Sequence, residues 1–239
     1  MGRILINCDL GENETDERTE ELLGLLDAAN VCCGAHAGSE AKTRRTLEAA
    51  VKHNVVIGAH PGLAMEGGRG ERLPDPQGFR ALLDEQIGNF AMAAEQVAAQ
   101  LAYVKLHGSL YHAVEMDESY ARTYLGFLQS GDANLEVFSL AGGTFASKAE
   151  AAGLKVWREA FADRGYRSDG SLVPRTKPGA VLDAESALAR FKKWQGSGLM
   201  DTVDGGAITL QADTFCVHSD SPDAEALLAG LKNLLISST

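Results

Sequence analysis

Apolar runs of strand length alternate with amphipathic helical stretches from one end of this chain to the other. Short, largely apolar runs fall at about residues 3–8, 27–33, 55–59, 102–107, 135–140, 155–161 and 212–218, the pattern of strands buried on both faces. The clearest helix is predicted over 76–101, where Leu83, Ile87, Phe90, Ala94, Val97 and Leu101 recur at three- and four-residue steps. Asp75 reads as its N-cap and Pro76 as its first helical residue. The last helix is predicted to open on Ser221 as cap, with Pro222 next and Asp223 in the first turn, and to carry Leu227, Leu231 and Leu234 on one face. Repeated β-then-α order implies a parallel sheet covered by helices. Seven or so units favour a closed or nearly closed barrel over an open doubly wound sheet.

The ends of these runs carry the chemistry. His36, His60, His107 and His218 each follow an apolar run, and the first run ends in Asp9 instead. In parallel α/β folds the ends of the strands form the functional rim. A weak repeat reinforces the point, because Gly34-Ala35-His36-Ala37-Gly38 is echoed by Gly58-Ala59-His60-Pro61-Gly62. The echo predicts equivalent histidines on neighbouring units. Strand side chains alternate faces, so Asn7 and Asp9 share one, as do Lys105 and His107, and Cys216, His218 and Asp220. Glu12 follows Asp9 after a turn. A single histidine at a strand end is more often a hydrogen-bonded structural group, but four at matched positions favour a site. Asp9, Glu12, His36, His60, Lys105 and His107 would bring acid, base and cation into one place. Such a set can work as general acid and base, and Lys105 can stabilise a developing oxyanion. Alternatively, Asp9, His36 and His60 are candidates to hold a divalent metal that activates water.

Composition narrows the classes. The 239 residues are 45% hydrophobic and 23% charged, which suits a single domain over 1–239 with a sizeable core. A formal net charge of -11 argues against nucleic acid or an anionic membrane surface as partner. No apolar stretch approaches the roughly 18 residues of a membrane span. The N-terminus turns polar too soon for a signal peptide, so a cytoplasmic protein is expected. Cys8, Cys32, Cys33 and Cys216 lie inside predicted strands without a C-x-x-C pair, and read as buried reduced thiols.

Two stretches break the periodicity. Residues 62–74 are Gly-rich and carry Arg69 and Arg72; residues 162–180 carry Arg164, Arg167, Arg175 and Lys177. Long polar loops inside a compact domain are often functional, and arginine forks bind carboxylate or phosphate. Neither a Gly-x-x-x-x-Gly-Lys-Ser/Thr phosphate loop nor a post-strand Gly-x-Gly-x-x-Gly occurs.

Taken jointly, several stretches resemble the LamB/YcsF family, the A subunits of bacterial 5-oxoprolinase. They are Asn7-Cys8-Asp9-Leu10-Gly11-Glu12, Ala29-Asn30-Val31 with Cys33-Gly34 and His36-Ala37-Gly38, and Ile57-Gly58-Ala59-His60-Pro61-Gly62. Further along come Val104-Lys105 with His107-Gly108 and Leu110-Tyr111, Phe161-Ala162-Asp163-Arg164 through Leu172-Val173-Pro174-Arg175, and Cys216-Val217-His218 with Asp220. The chain departs from the family pattern at Asn13, Ala35, Ser39, Leu106, Ser109, His112 and Ser219 and in a shorter Leu63–Arg72 loop, so packing changes while the polar residues persist.

The resemblance implies a seven-stranded parallel β/α barrel similar to the glycoside hydrolase/deacetylase superfamily. It implies ATP-dependent opening of the 5-oxoproline lactam to L-glutamate, with two partner subunits of B and C type and ATP handled with them. On that footing Asp9, His60, His107 and Lys105 are the catalytic candidates. Asn7, Glu12, Asn30, His36, Arg72, Arg164, Arg175 and His218 are the substrate-binding ones. The other readings are a metal-dependent amide hydrolase or deacetylase of the same superfamily and a non-catalytic subunit.

Overall fold

The computed structural model describes residues 3–65, 72–131, 135–221 and 223–236. Its strands β1 (Leu5–Leu10), β2 (Ala28–Cys32), β3 (Val56–His60), β4 (Leu101–Val104), β5 (Glu136–Leu140) and β6 (Val156–Phe161) pair in sequence order. A last barrel strand, β9 (Thr214–His218), lies between β6 and β1 and closes the ring, with every pairing parallel. All seven apolar runs are therefore barrel strands. Helices α1 (Asp16–Leu23), α2 (Glu40–Lys52), α3 (Pro76–Gln96), α4 (Gly108–Met116), α5 (Glu118–Ser130), α6 (Thr144–Ala151), α7 (Ala184–Ser197) and α8 (Ala224–Ile236) follow the strands. Their apolar faces pack on the outside of the barrel, as in α2, where Leu47 and Ala50 are fully buried. None of the described helices is long and apolar enough to cross a membrane.

The interior is divided. Towards the N-terminal ends of the strands the rings of Tyr103 and Phe138 stack at 3.8 Å and form a small cluster with Ala28. Gly58, in register with Tyr103, makes room for this plug, because a Cβ there would sit 2.1 Å from the tyrosine ring. The plug fills the lower barrel and leaves polar side chains at the C-terminal rim, where such barrels carry their chemistry.

Several boundaries differ from the sequence pattern. α3 is capped by Asp75 on the Gly78 N–H as expected, but ends at Gln96. Ala98 then takes φ +54 to turn the chain, and Leu101 continues the apolar spacing only as the first residue of β4. α8 begins at Ala224 with the Asp223 carbonyl accepting from the Leu227 N–H. Ser221 is not its cap, since its carbonyl accepts from Ala224 in the preceding turn; Pro222 lies outside the described residues. An unexpected antiparallel hairpin, β7 (Leu199–Asp201) with β8 (Ala207–Thr209), sits between α7 and β9. Its three-residue strands are too short to give a periodicity signal.

Candidate functional site

Strand register builds the site. Asp9 on β1 lies beside Asn30 on β2 and His218 on β9, and Cys32 on β2 lies beside His60, the last residue of β3. Past the end of β4 the chain keeps the parallel pattern, with Lys105 N–H donating to Ala59 O and His107 N–H to Pro61 O. Lys105 and His107 therefore project inward together, as alternation requires.

Asp9 is the hub. Its Oδ1 accepts from Lys105 Nζ at 2.7 Å and from Asn30 Nδ2 at 2.8 Å, and its Oδ2 lies 3.4 Å from His60 Nε2. Beneath it runs a polar chain in which Tyr103 OH donates to Asn30 Oδ1, Asn30 Nδ2 to Asn7 Oδ1, and Asn7 Nδ2 to Thr214 Oγ1. This chain holds the carboxylate to a fixed position across four strands. His60 donates from Nδ1 to the Lys105 carbonyl at 2.8 Å, which turns Nε2 towards His107 Nδ1 at 2.9 Å. His36 and His107 stack at 3.9 Å, and Glu12 Oε1 reaches His36 Nε2 at 3.0 Å and His107 Nδ1 at 3.5 Å. Close by, Gly62 is required, since a Cβ there would meet His36 Nδ1 at 2.4 Å. A cavity of about 310 Å³ opens above, lined by Glu12, Asn13, Glu14, His36, Ala37, His107, Ser219 and Asp220.

Asn7, Asp9, Glu12, Asn30, His36, His60, Lys105 and His107 thus converge. His218 flanks them, with its Nδ1 on Asp163 at 3.0 Å and its ring stacked on Phe161. The pentapeptide echo misleads in one respect: the register partner of His60 is Cys32, and His36 reaches the cluster from the loop beyond β2. Arg164 does not face the site. Its buried guanidinium donates to the carbonyls of Ala180 and Val173, closing the 162–180 loop on itself. Arg175 pairs with Asp220 at the cavity edge, 2.9 Å away. Arg72 is exposed ahead of α3, and none of the contacts that build the cluster involves it. Arg69 and most of the Gly-rich stretch, residues 66–71, lie outside the described residues. Cys8, Cys32 and Cys216 are buried free thiols as expected, while Cys33 is half-buried just past β2.

The scaffold and its rim match known proteins along nearly their whole length. The LamB/YcsF family model covers residues 4–238. This chain belongs to the LamB/YcsF family. Its relatives include the 5-oxoprolinase A chain of Bordetella pertussis, 37% identical over 96% of this chain and 93% of that one. That of Syntrophobacter fumaroxidans is 39% identical over 99% and 96%. The crystal structure of the lactam utilization protein from Thermus thermophilus superposes with a TM-score of 0.88 at 31% identity, covering 99% and 97% of the two chains. A T48 deacetylase, at 12% identity and TM-score 0.50, shares the fold alone.

Two partners in this LamB/YcsF barrel are not among the candidate site residues that the sequence offers. Glu159 on β6 is completely buried, with Oε1 3.0 Å from Lys105 Nζ, and Asp163 receives both the backbone N–H and the ring of His218. Lys105 also lies 3.1 Å from the Cys216 thiol. Burial alone would raise the Asp9 carboxyl, but His60 and Lys105 hold it well below the usual carboxylate range. Burial works against the Lys105 charge as well, yet Asp9, Cys216 and Glu159 push its pKa well up, so it stays an ammonium. Around His36, burial is outweighed by the hydrogen bonds to Cys32 and Glu12, which push the imidazole up to about 9. Burial lifts the Cys216 thiol far above its normal range, which makes it a poor nucleophile. Glu12, His36, His60 and His107 offer donor atoms within 4.8 Å of one another, a group able to hold a metal ion.

Proposed function

We propose that this chain is the A-type component of an ATP-dependent 5-oxoprolinase, a single-domain cytoplasmic protein working with two further subunits of B and C type. The reaction opens the five-membered lactam of 5-oxoproline to L-glutamate as ATP becomes ADP and phosphate. Two waters are consumed, one in opening the phosphorylated ring and one in releasing phosphate from the acyl phosphate so formed. The observation that carries the reading is the Lys105–Asp9–His60–His107 chain beneath a rim cavity in a barrel 31% identical to a lactam utilization protein.

A lactam is a resonance-stabilised amide, so water adds only after the carbonyl is activated. In this reading ATP transfers its terminal phosphoryl group to the amide oxygen and ADP leaves. Water then adds to the carbonyl carbon, the C–N bond opens as nitrogen takes up a proton, and a second water hydrolyses the resulting acyl phosphate to the free carboxylate and phosphate. Without a phosphate-binding loop of its own, the chain handles nucleotide together with its partners. Asp9, ionised and facing His60 Nε2, takes the proton of the attacking water. Lys105 is buried and saturated by Asp9 and Glu159, so it acts as a fixed charge that positions Asp9 rather than as a substrate ligand. Arg175, steadied by Asp220 at the cavity edge, meets the substrate carboxylate or the phosphate.

The test is reconstitution. The chain mixed with its B and C partners, ATP and 5-oxoproline releases glutamate, and Asp9→Asn lowers the rate by about 100-fold or more. Glutamate no higher than in a mixture lacking the chain rejects the assignment.

A further inference from the structure

We propose that Glu12, His60 and His107 form a binding site for one divalent first-row transition ion at the mouth of the barrel. His36 aims the Glu12 carboxylate at it. The spacing of the donors is the first argument. His60 Nε2 and His107 Nδ1 are 2.9 Å apart, and Glu12 Oε1 is 3.5 Å from His107 Nδ1. Ligands bound at about 2.0–2.2 Å stand roughly 3.0 Å apart at octahedral angles and about 3.4 Å at tetrahedral ones. The donors thus already have the spacing of a single coordination shell.

The hydrogen bonds outside the donors agree. His60 Nδ1–H is committed to the Lys105 carbonyl, which leaves Nε2 bare and pointing inward, the arrangement that metal-binding histidines require. Glu12 Oε1 is also held by His36 Nε2 at 3.0 Å, which fixes the carboxylate beside His107. Cys32 stays out of the shell, since its thiol donates to the Ala37 carbonyl.

The neighbouring group of Asp9, Cys216 and His218 also has donors within 4.8 Å of one another, but it already contains a cation. The Lys105 ammonium lies 2.7 Å from Asp9 Oδ1 and 3.1 Å from Cys216 Sγ. Asp9 is therefore matched to a fixed charge and left outside the proposed shell, facing it through His60. Two imidazoles and one carboxylate suit zinc, iron, cobalt or manganese better than calcium or magnesium. Glu12 and His107 both line the 310 Å³ cavity, so the site's open positions face the space where substrate and water enter. A bound ion there supplies Lewis-acid polarisation of a carbonyl or lowers the pKa of water.

The inference is independent of the lactam assignment, because its test reads metal and not turnover. The full chain is stripped with chelator, then titrated with Zn²⁺ and separately with Co²⁺. Retained metal is measured after desalting, and the visible spectrum of cobalt is recorded. One equivalent of zinc, cobalt bands of a nitrogen–oxygen site and a zinc-dependent rise in Tm are expected. Glu12→Gln and His107→Gln each loosen binding by more than about 100-fold, and His36→Gln by roughly 10–100-fold. His53→Gln, remote at the end of α2, changes nothing. Glu12 is partly exposed, so its variant reports even if a substitution at His60 disturbs folding. Folded wild-type chain retaining well under one equivalent overturns the proposal, as does undiminished binding in Glu12→Gln and His107→Gln.

Discussion

Replacing Lys105 by methionine keeps the bulk of the stem and removes the ammonium that sits between two buried carboxylates. In the native barrel Nζ lies 2.7 Å from Asp9 and 3.0 Å from Glu159, and both lysine and carboxylates are nearly or wholly buried. Removing one partner of a buried pair costs about 3–5 kcal/mol, because the other charge stays in place unmatched. For a chain of this size that is a fall in Tm of roughly 6–20 °C.

The loss depends on pH, and its sign is fixed. In the native chain the Asp9 carboxyl is held below its unfolded value. Its contribution is present above the unfolded value of about 3.9 and is lost as pH falls through the lower folded value. In Lys105→Met, burial acts without the cation and lifts the Asp9 carboxyl above its unfolded value. The variant then regains stability as acid protonates Asp9, so its deficit is widest near pH 7 and narrows towards about pH 4–5. Urea unfolding at several pH values reads this directly. Adding Glu159→Gln to Lys105→Met restores part of the loss, a coupling that a double-mutant cycle isolates. A deficit under about 1 kcal/mol at pH 7, or one that does not change between pH 7 and 5, would refute the buried-charge account.

Gly58→Ala drives a methyl group into the Tyr103 ring and should destabilise the barrel by about 1–3 kcal/mol by urea unfolding, while a midpoint equal to wild type would contradict the aromatic plug. Asp163→Asn tests the His218 anchor. Burial opposes the Asp163 charge, but His218 and Arg175 hold the carboxyl low, so its stabilisation is present above about pH 3.9 and lost as pH falls through the folded value. The variant should be weaker by about 1–3 kcal/mol at pH 7 and should converge on wild type in acid; a constant gap across pH counts against the pairing.

The strands were legible because parallel strands covered on both sides must be apolar along their length, and chemistry at their ends then stands out as abrupt polarity. Alternation alone was enough to bring Asn7 with Asp9 and Lys105 with His107. It could not place His36, which enters from a loop whose course depends on Gly62 and on the packing of two neighbouring turns. Nor could it separate Arg164 from Arg175, because whether a guanidinium meets ligand or backbone carbonyls depends on how the loop folds back.

Glu159 is the instructive omission. It sits in Val156-Trp157-Arg158-Glu159-Ala160-Phe161, an apolar run broken by two adjacent opposite charges. Adjacent strand residues face opposite ways, so one of the two has to point into the barrel. Arg158 reaches outward to Glu150, and Glu159 is the inward one. A charge buried in a barrel is retained only when matched, and Lys105, at the end of another buried strand, has the opposite sign. Each of these residues on its own reads as an anomaly in an apolar strand. Together they predict one another, and the second carboxylate explains why the lysine stays charged and still without displacing Asp9 from His60.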